Sequence, residues 1–153
     1  NSGSLKDWSV FHSSMPGAPS PANTKIWLNK PDAEASVITY WNNTMPTNTV
    51  FSLGTNGRVN TTNETYVGYF WHSVPGYSAF GSYIGNGNDN GTFIYTGFRP
   101  AFVIWKRTGG SYDWFMKDSV RSPFNPASIR IWPNKVQGDE THGGQDCDLL
   151  SNG

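Results

Sequence analysis

Tyr66-Val67-Gly68-Tyr69-Phe70-Trp71-His72 is apolar at odd and even positions alike. A strand alternates its side chains between two faces, so this run reads as a central strand covered on both sides. Thr92-Phe93-Ile94-Tyr95 and Ala101-Phe102-Val103-Ile104-Trp105 repeat that character. Outward from them, shorter β-prone runs open at Trp8, Lys25, Val37, Thr49, Tyr112 and Ile129, bounded by Gly, Pro, Asn or Ser. No stretch sustains a helical period for three turns. The most helix-like, Pro31-Asp32-Ala33-Glu34-Ala35, amounts to one turn with Pro at its first position. Many short strands without crossover helices exclude parallel βαβ units and predict an all-β fold, an antiparallel β-sandwich of jelly-roll type.

Composition agrees with an ordered β domain. Gly, Ser, Thr and Asn supply 61 of the 153 residues, a mix that alone would suit a disordered chain. The 23 aromatic residues decide against disorder, because they can bury enough apolar surface to offset the entropy of ordering. Charged side chains make up 14%, eleven of each sign, and neither sign forms a block. That balance leaves no electrostatic footprint for nucleic acid or an anionic membrane. No apolar run is long enough to span a bilayer, and no signal-peptide pattern opens the chain. Four N-x-[ST] sequons, at Asn42, Asn60, Asn63 and Asn90, are what so Asn- and Thr-rich a sequence yields by chance. The lone Cys147 forms no internal disulfide.

An internal duplication is the most informative pattern. Asp7-Trp8, Lys25-Ile26-Trp27-Leu28-Asn29-Lys30 and Leu53-Gly54-Thr55-Asn56-Gly57 recur in order. Their counterparts are Asp113-Trp114, Arg130-Ile131-Trp132-Pro133-Asn134-Lys135 and Leu149-Leu150-Ser151-Asn152-Gly153. An acidic residue, Glu34 or Glu140, follows each Asn-Lys pair. Each D-W is expected to open a strand, burying its indole while Asp satisfies donors of the preceding turn. Each N-G suits a type I′ hairpin, whose two central residues need positive φ. The expected organisation is one sandwich domain over 1–153, with halves at 7–57 and 113–153 and central strands in 66–107. Each half has an apolar strand that the other lacks. The chain is therefore expected to be part of a longer polypeptide or an assembly that supplies strands from outside.

Residues 66–107 contain G-Y-S-x-F-G-x-Y-x-G-N-G, from Gly76 to Gly87, followed by an Ile94-Tyr95-Thr96-Gly97-Phe98 segment and Pro100-Ala101-Phe102-Val103. With flanking matches at Asp7-Trp8-Ser9-Val10-Phe11-His12 and Trp41-Asn42-Asn43-Thr44-Met45-Pro46, this resembles a domain of fibre-like proteins of marine and cyanobacterial bacteriophages. The resemblance covers nearly the whole chain. It departs at Trp71-His72, where that pattern more often has Cys or Phe and then a small residue. It implies a virion-associated, concanavalin-like sandwich on the particle surface, serving fibre construction or host attachment. Its implied partners are other virion proteins, copies of itself and, as an alternative, a host-surface glycan bound as a lectin would bind it. A capsid decoration role is the other alternative. No catalytic site or cofactor is implied.

The chemistry-bearing residues carry bland readings. Glycoside hydrolysis needs two facing carboxylates, yet Glu34, Glu64 and Glu140 are the only glutamates and the aspartates fall mostly in turns. His12, His72 and His142 lack metal-ligand spacing. Gly85-Asn86-Gly87-Asn88-Asp89-Asn90-Gly91 is not a full calcium-loop motif and has no closing Glu, so it reads as a long hairpin turn. Trp8, Trp27, Trp114 and Trp132 recur in the duplication and belong to the core. Tyr77, Phe80 and Tyr83, with Asn86 and Asn88 in the adjoining loop, are the candidate contact or ligand-binding residues.

Overall fold

A computed structural model describes residues 6–16, 20–141, 143–144 and 146–153. His142 lies outside the described residues. The chain is all-β, with short antiparallel pairings. Its strands are β1 (Ser9–Val10), β2 (Thr24–Trp27), β3 (Ala35–Ser36), β4 (Phe102–Lys106), β5 (Trp114–Asp118), β6 (Ile129–Arg130) and β7 (Glu140–Thr141). They form a three-stranded sheet in the order β1-β2-β3 and two pairs, β4-β5 and β6-β7. One 3₁₀ turn, Pro21–Asn23, precedes β2; Ser20 caps it by accepting from the Ala22 amide, and Pro21 opens it at the position where its missing N–H costs nothing. Residues 31–34, the most helix-like stretch of the sequence, form no helix, and β3 begins at Ala35.

The chain divides into two compact units. Unit 1 holds Asn1–Gly68 with Lys106–Trp114, and unit 2 holds Tyr69–Trp105 with Phe115–Gly153. In unit 1, all four residues of β2 are buried, and its period of two sends neighbours into different clusters. Trp27 packs with Tyr40, Trp41 and Val59, whereas Ile26 packs with Met15 and Trp114. Strand β2 is thus the centre of its sheet, covered on both faces. The rings meet edge-on, Trp27 with Tyr40 at 5.9 Å and Phe11 with Trp41 at 5.9 Å, the arrangement the ring quadrupole favours. Both buried indole N–H groups nearby are satisfied: Trp41 Nε1 donates to Thr24 O at 2.8 Å and Trp114 Nε1 to Trp27 O at 2.6 Å. In unit 2, Phe115 stacks on Trp105 at 5.7 Å and leans on Trp132 at 4.8 Å. The ammonium of Lys117, only 1% exposed, donates to the carbonyl of Ala127 and reaches Asp146 at 3.5 Å.

Similar local pairings recur at the two tryptophan motifs. Val10 sits opposite Ile26 and Lys25 opposite Ala35. At corresponding positions of the second copy, Met116 bridges Ile131 and Arg130 sits opposite Glu140. Each I-W tryptophan is also flanked by the motif's own cations. Lys25 Nζ lies 3.5 Å and Lys30 Nζ 5.9 Å from the Trp27 ring. Arg130 lies 4.3 Å and Lys135 4.2 Å from that of Trp132. Residues two apart on a strand share a face, so the long stem at the first motif position lies along the indole and delivers its charge over the ring.

Several expectations are corrected. Residues 66–72 and 92–95 form no strand and lie exposed; within 66–107 the one named strand is β4. A strand apolar on both faces needs two covering layers, and the chain places those layers around β2 instead. Trp8 is 50% exposed while Trp114 is 8% exposed, so the two D-W indoles are not equivalently buried. Asp7 does not cap its own turn but accepts from Asn29 Nδ2 at 3.2 Å and pairs with Lys30 at 2.9 Å and Arg58 at 2.7 Å. Neither Asn56-Gly57 nor Asn152-Gly153 has positive φ. The mirror-image turn lies at Asn42-Asn43, with φ of 53° and 48° and the Thr44 amide donating to Trp41 O at 3.0 Å. Asn56 instead starts a tight turn, its side-chain oxygen taking the Arg58 amide at 3.0 Å.

Candidate contact surface

Residues 69–95 of unit 2 hold all five sequence-predicted contact residues. Val74-Pro75-Gly76-Tyr77 is a type II turn: Pro presets the second position, Gly76 takes φ of 75°, and the Tyr77 amide donates to Val74 O at 2.9 Å. Two serines pin the turn. Ser78 Oγ accepts from the Val74 amide at 3.1 Å and donates to His72 O at 2.9 Å, and Ser73 Oγ accepts from the Phe80 amide at 3.0 Å. The turn leaves Tyr77 82% exposed, and Phe80 and Tyr83 follow it as exposed rings.

The Asn-rich loop holds itself together. Asn86 Oδ1 accepts from the Asn88 amide at 3.1 Å, Asn88 Oδ1 accepts from the Asn90 amide at 2.9 Å, and Asn86 Nδ2 donates to Asn90 O at 2.8 Å. These are successive Asx turns. The carboxamide oxygens of Asn86 and Asn88 are therefore occupied by the loop's own amides, which makes them shape-givers here. Among the described residues, no three His, Cys, Asp or Glu side chains lie close enough to hold a metal ion.

Trp71 and Ile84 were not among the candidate contact residues read from the sequence, yet they are 71% and 89% exposed. The run around Trp71 had the signature of a buried strand, and nothing in its pattern says which layer would cover it. Tyr69 and Trp71 stack at 5.8 Å with ring planes 17° apart. This exposed stacked pair forms a small aromatic platform.

Elsewhere, acids face cations. A small cavity of about 160 Å³ is lined by Ile129, Asp139, Glu140 and Thr141. It brings two carboxylates together, but Glu140 accepts from Arg130 at 2.6 Å and Asp139 lies 3.7 Å from Arg121. Burial opposes the charge of Asp7, but Lys30, Asn29 and Arg58 outweigh it and hold the carboxyl below its ordinary range. The Arg121 amide, against some burial, together with its guanidinium and the Val120 amide, holds Asp118 low as well. Burial pushes the Cys147 thiol up and the His12 imidazole down; His12 Nδ1 accepts from the Ser14 amide at 3.0 Å. Burial also raises the Tyr83 phenol, with Cys147 adding to the effect. No helix among the described residues is long and apolar enough to cross a membrane.

No curated protein matches this chain, and no solved structure does. A family model described as a domain of unknown function, DUF7483, matches residues 1–153, and the chain belongs to that family.

Proposed function

We propose that this chain is a structural domain of a bacteriophage virion, set on the particle surface in a tail fibre or similar fibre and contributing to host attachment, with no catalytic role. The observation that carries the reading is the exposed aromatic surface of residues 69–95, which coincides with the motif resembling phage fibre-like domains. A contact surface needs large rigid side chains held outward, and the turn at Pro75-Gly76 and the Asx turns at 86–90 hold them so. Its partners on this reading are other virion proteins and copies of itself. Immunogold labelling of purified particles with antibody to this chain tests it. Gold on thin projections is expected; purified particles that contain none of the chain contradict it.

A second reading, a lectin-like carbohydrate-binding module, is favoured by the Tyr69–Trp71 platform. A capsid decoration protein would share the same surface and place the gold on the shell. Glycan-array binding that is lost in Trp71→Ala would favour the lectin over the fibre.

A further inference from the structure

Three cations of unit 1 gather on one indole. Lys25 Nζ lies 3.5 Å, the Arg58 guanidinium 5.0 Å and Lys30 Nζ 5.9 Å from the Trp27 ring. Lys25 is 7% exposed, and among the described residues its ammonium makes no hydrogen bond and no ion pair; what it meets is the ring. A ring face offsets part of the cost of desolvating a charge, but it leaves the three N–H groups of an ammonium without an oxygen acceptor. Burial pushes Lys25 below the ordinary lysine range, and Arg58 and Lys30 add repulsion against the attraction of Asp32 and Asp7.

The other I-W motif shows what such a cation pairs with. Arg130, likewise two residues before its tryptophan and buried, lies opposite Glu140 and donates to it at 2.9 and 2.6 Å. The residue opposite Lys25 is Ala35, whose methyl group accepts nothing. Two cations placed alike beside an indole therefore differ in one respect: the chain supplies a carboxylate to Arg130 and none to Lys25. The neighbours of Lys25 are equipped to share an incoming acceptor. Asp7 engages Arg58 through Nη1 alone, at 2.7 Å, which leaves its other two nitrogens for a further oxygen. The Lys30 and Arg58 side chains are 43% and 42% exposed, so the cluster meets water. On the same sheet face, opposite Trp27, Ser9 Oγ is buried with no hydrogen-bond partner.

We infer that Lys25, Lys30 and Arg58 form an oxyanion site beside Trp27, which takes a carboxylate or sulfate group from outside the chain. The group arrives either as a free ion or as the acid function of a saccharide. Three cations suit one compact oxyanion, whereas the even spread of charge along the chain offers no track for a polyanion. The site is separate from residues 69–95 and does not depend on the virion reading.

An NMR titration of the ¹⁵N-labelled 153-residue chain with sodium acetate and sodium sulfate tests the inference, with sodium chloride at matched ionic strength as reference. Saturable shifts of the amides of Lys25 to Lys30 and of Arg58 are expected with the oxyanions. Lys25→Met keeps an apolar stem along the indole and removes the charge, and it should weaken binding at least about tenfold, as loss of a charged hydrogen-bond donor does. Absence of saturable shifts with both oxyanions overturns the inference, and so does unchanged affinity in Lys25→Met. Should that variant fail to fold, Arg58→Gln, at an exposed side chain, decides: weaker binding is expected, and unchanged affinity overturns the site. Glucuronate and galactose 6-sulfate separate the two sources. Tighter binding than acetate and sulfate marks an acid carried on a saccharide, and equal binding marks the free ion.

Discussion

The indole N–H of Trp114 donates to the backbone carbonyl of Trp27 at 2.6 Å, joining two tryptophans 87 positions apart in the chain. Trp114 comes from the second D-W pair of the sequence and Trp27 from the first I-W pair, and both are buried in unit 1. Trp114→Phe keeps most of the packing against Met15 and Ile26 but removes the donor. A loss of about 1–3 kcal/mol is expected from chemical denaturation, the cost of stranding a buried polar group. Trp114→Ala adds a cavity and should lose about 3–5 kcal/mol.

Gly54 is fixed by contact with backbone. A Cβ there would sit 2.1 Å from Thr39 O and 2.6 Å from Thr39 C, while the Gly54 amide donates to Tyr40 O at 2.8 Å. Backbone cannot rotate aside as a side chain can. Gly54→Ala should therefore cost about 3 kcal/mol or more, at the upper end of overpacking penalties. Gly138→Ala, where a Cβ meets nothing within 4 Å, should leave the melting temperature unchanged.

Two ion pairs of unit 2 differ in burial and should differ in worth. Arg130 is 6% exposed and donates two hydrogen bonds to Glu140, which is a third exposed. Glu140→Ala leaves a buried guanidinium without that carboxylate, and a loss of about 1–3 kcal/mol is expected after allowing for solvent at Glu140. Arg121→Ala breaks the more exposed contacts with Asp118 and Asp139. Its expected cost is below about 1 kcal/mol. Denaturant midpoints of the two variants check the order.

Acid should weaken the fold in two stages. His12 is depressed by burial, so the unfolded chain binds its proton first. The corresponding stability is full above the ordinary imidazole value of 6.5 and is lost as pH falls through the lower folded value. Asp7 and Asp118 are depressed from 3.8 by their cationic and amide partners, net of an opposing burial effect. Their stability is present above that value and lost below it, as pH falls through the folded values. Melting temperature against pH should show an upper step that His12→Asn removes and a lower step that Asp7→Asn reduces.

How much was legible in the sequence follows from which signals are local. The all-β class was, because short β-branched and aromatic runs between turn formers act locally; β1 and β6 fall within such runs, and β2, β4 and β5 overlap them. The I-W motif was legible as core, and both Trp27 and Trp132 are buried. The cations beside them were not, since only the fold shows Lys25 and Arg130 laid over the rings. The burial of 66–72 was misread for a related reason. A two-faced apolar run states that cover is needed on both sides and is silent on what supplies it. Turn chemistry was placed one motif away, because Asn42-Asn43 tolerates positive φ as Asn-Gly does. Tyr77, Phe80 and Tyr83 were legible as exposed because they flank Gly- and Asn-rich turns; the exposure of Trp71 was hidden inside the strand-like run.

Hydroxyl-radical labelling of the chain free in solution and on purified particles asks most directly whether residues 69–95 are the contact surface that the virion reading requires. Trp71 and Tyr77 are 71% and 82% exposed in the single chain, against 8% for Trp114. In the free chain they should label much faster than Trp114, and on the particle more slowly than in the free chain. Labelling of Trp71 and Tyr77 at the same rate on the particle as in the free chain would contradict a contact surface there.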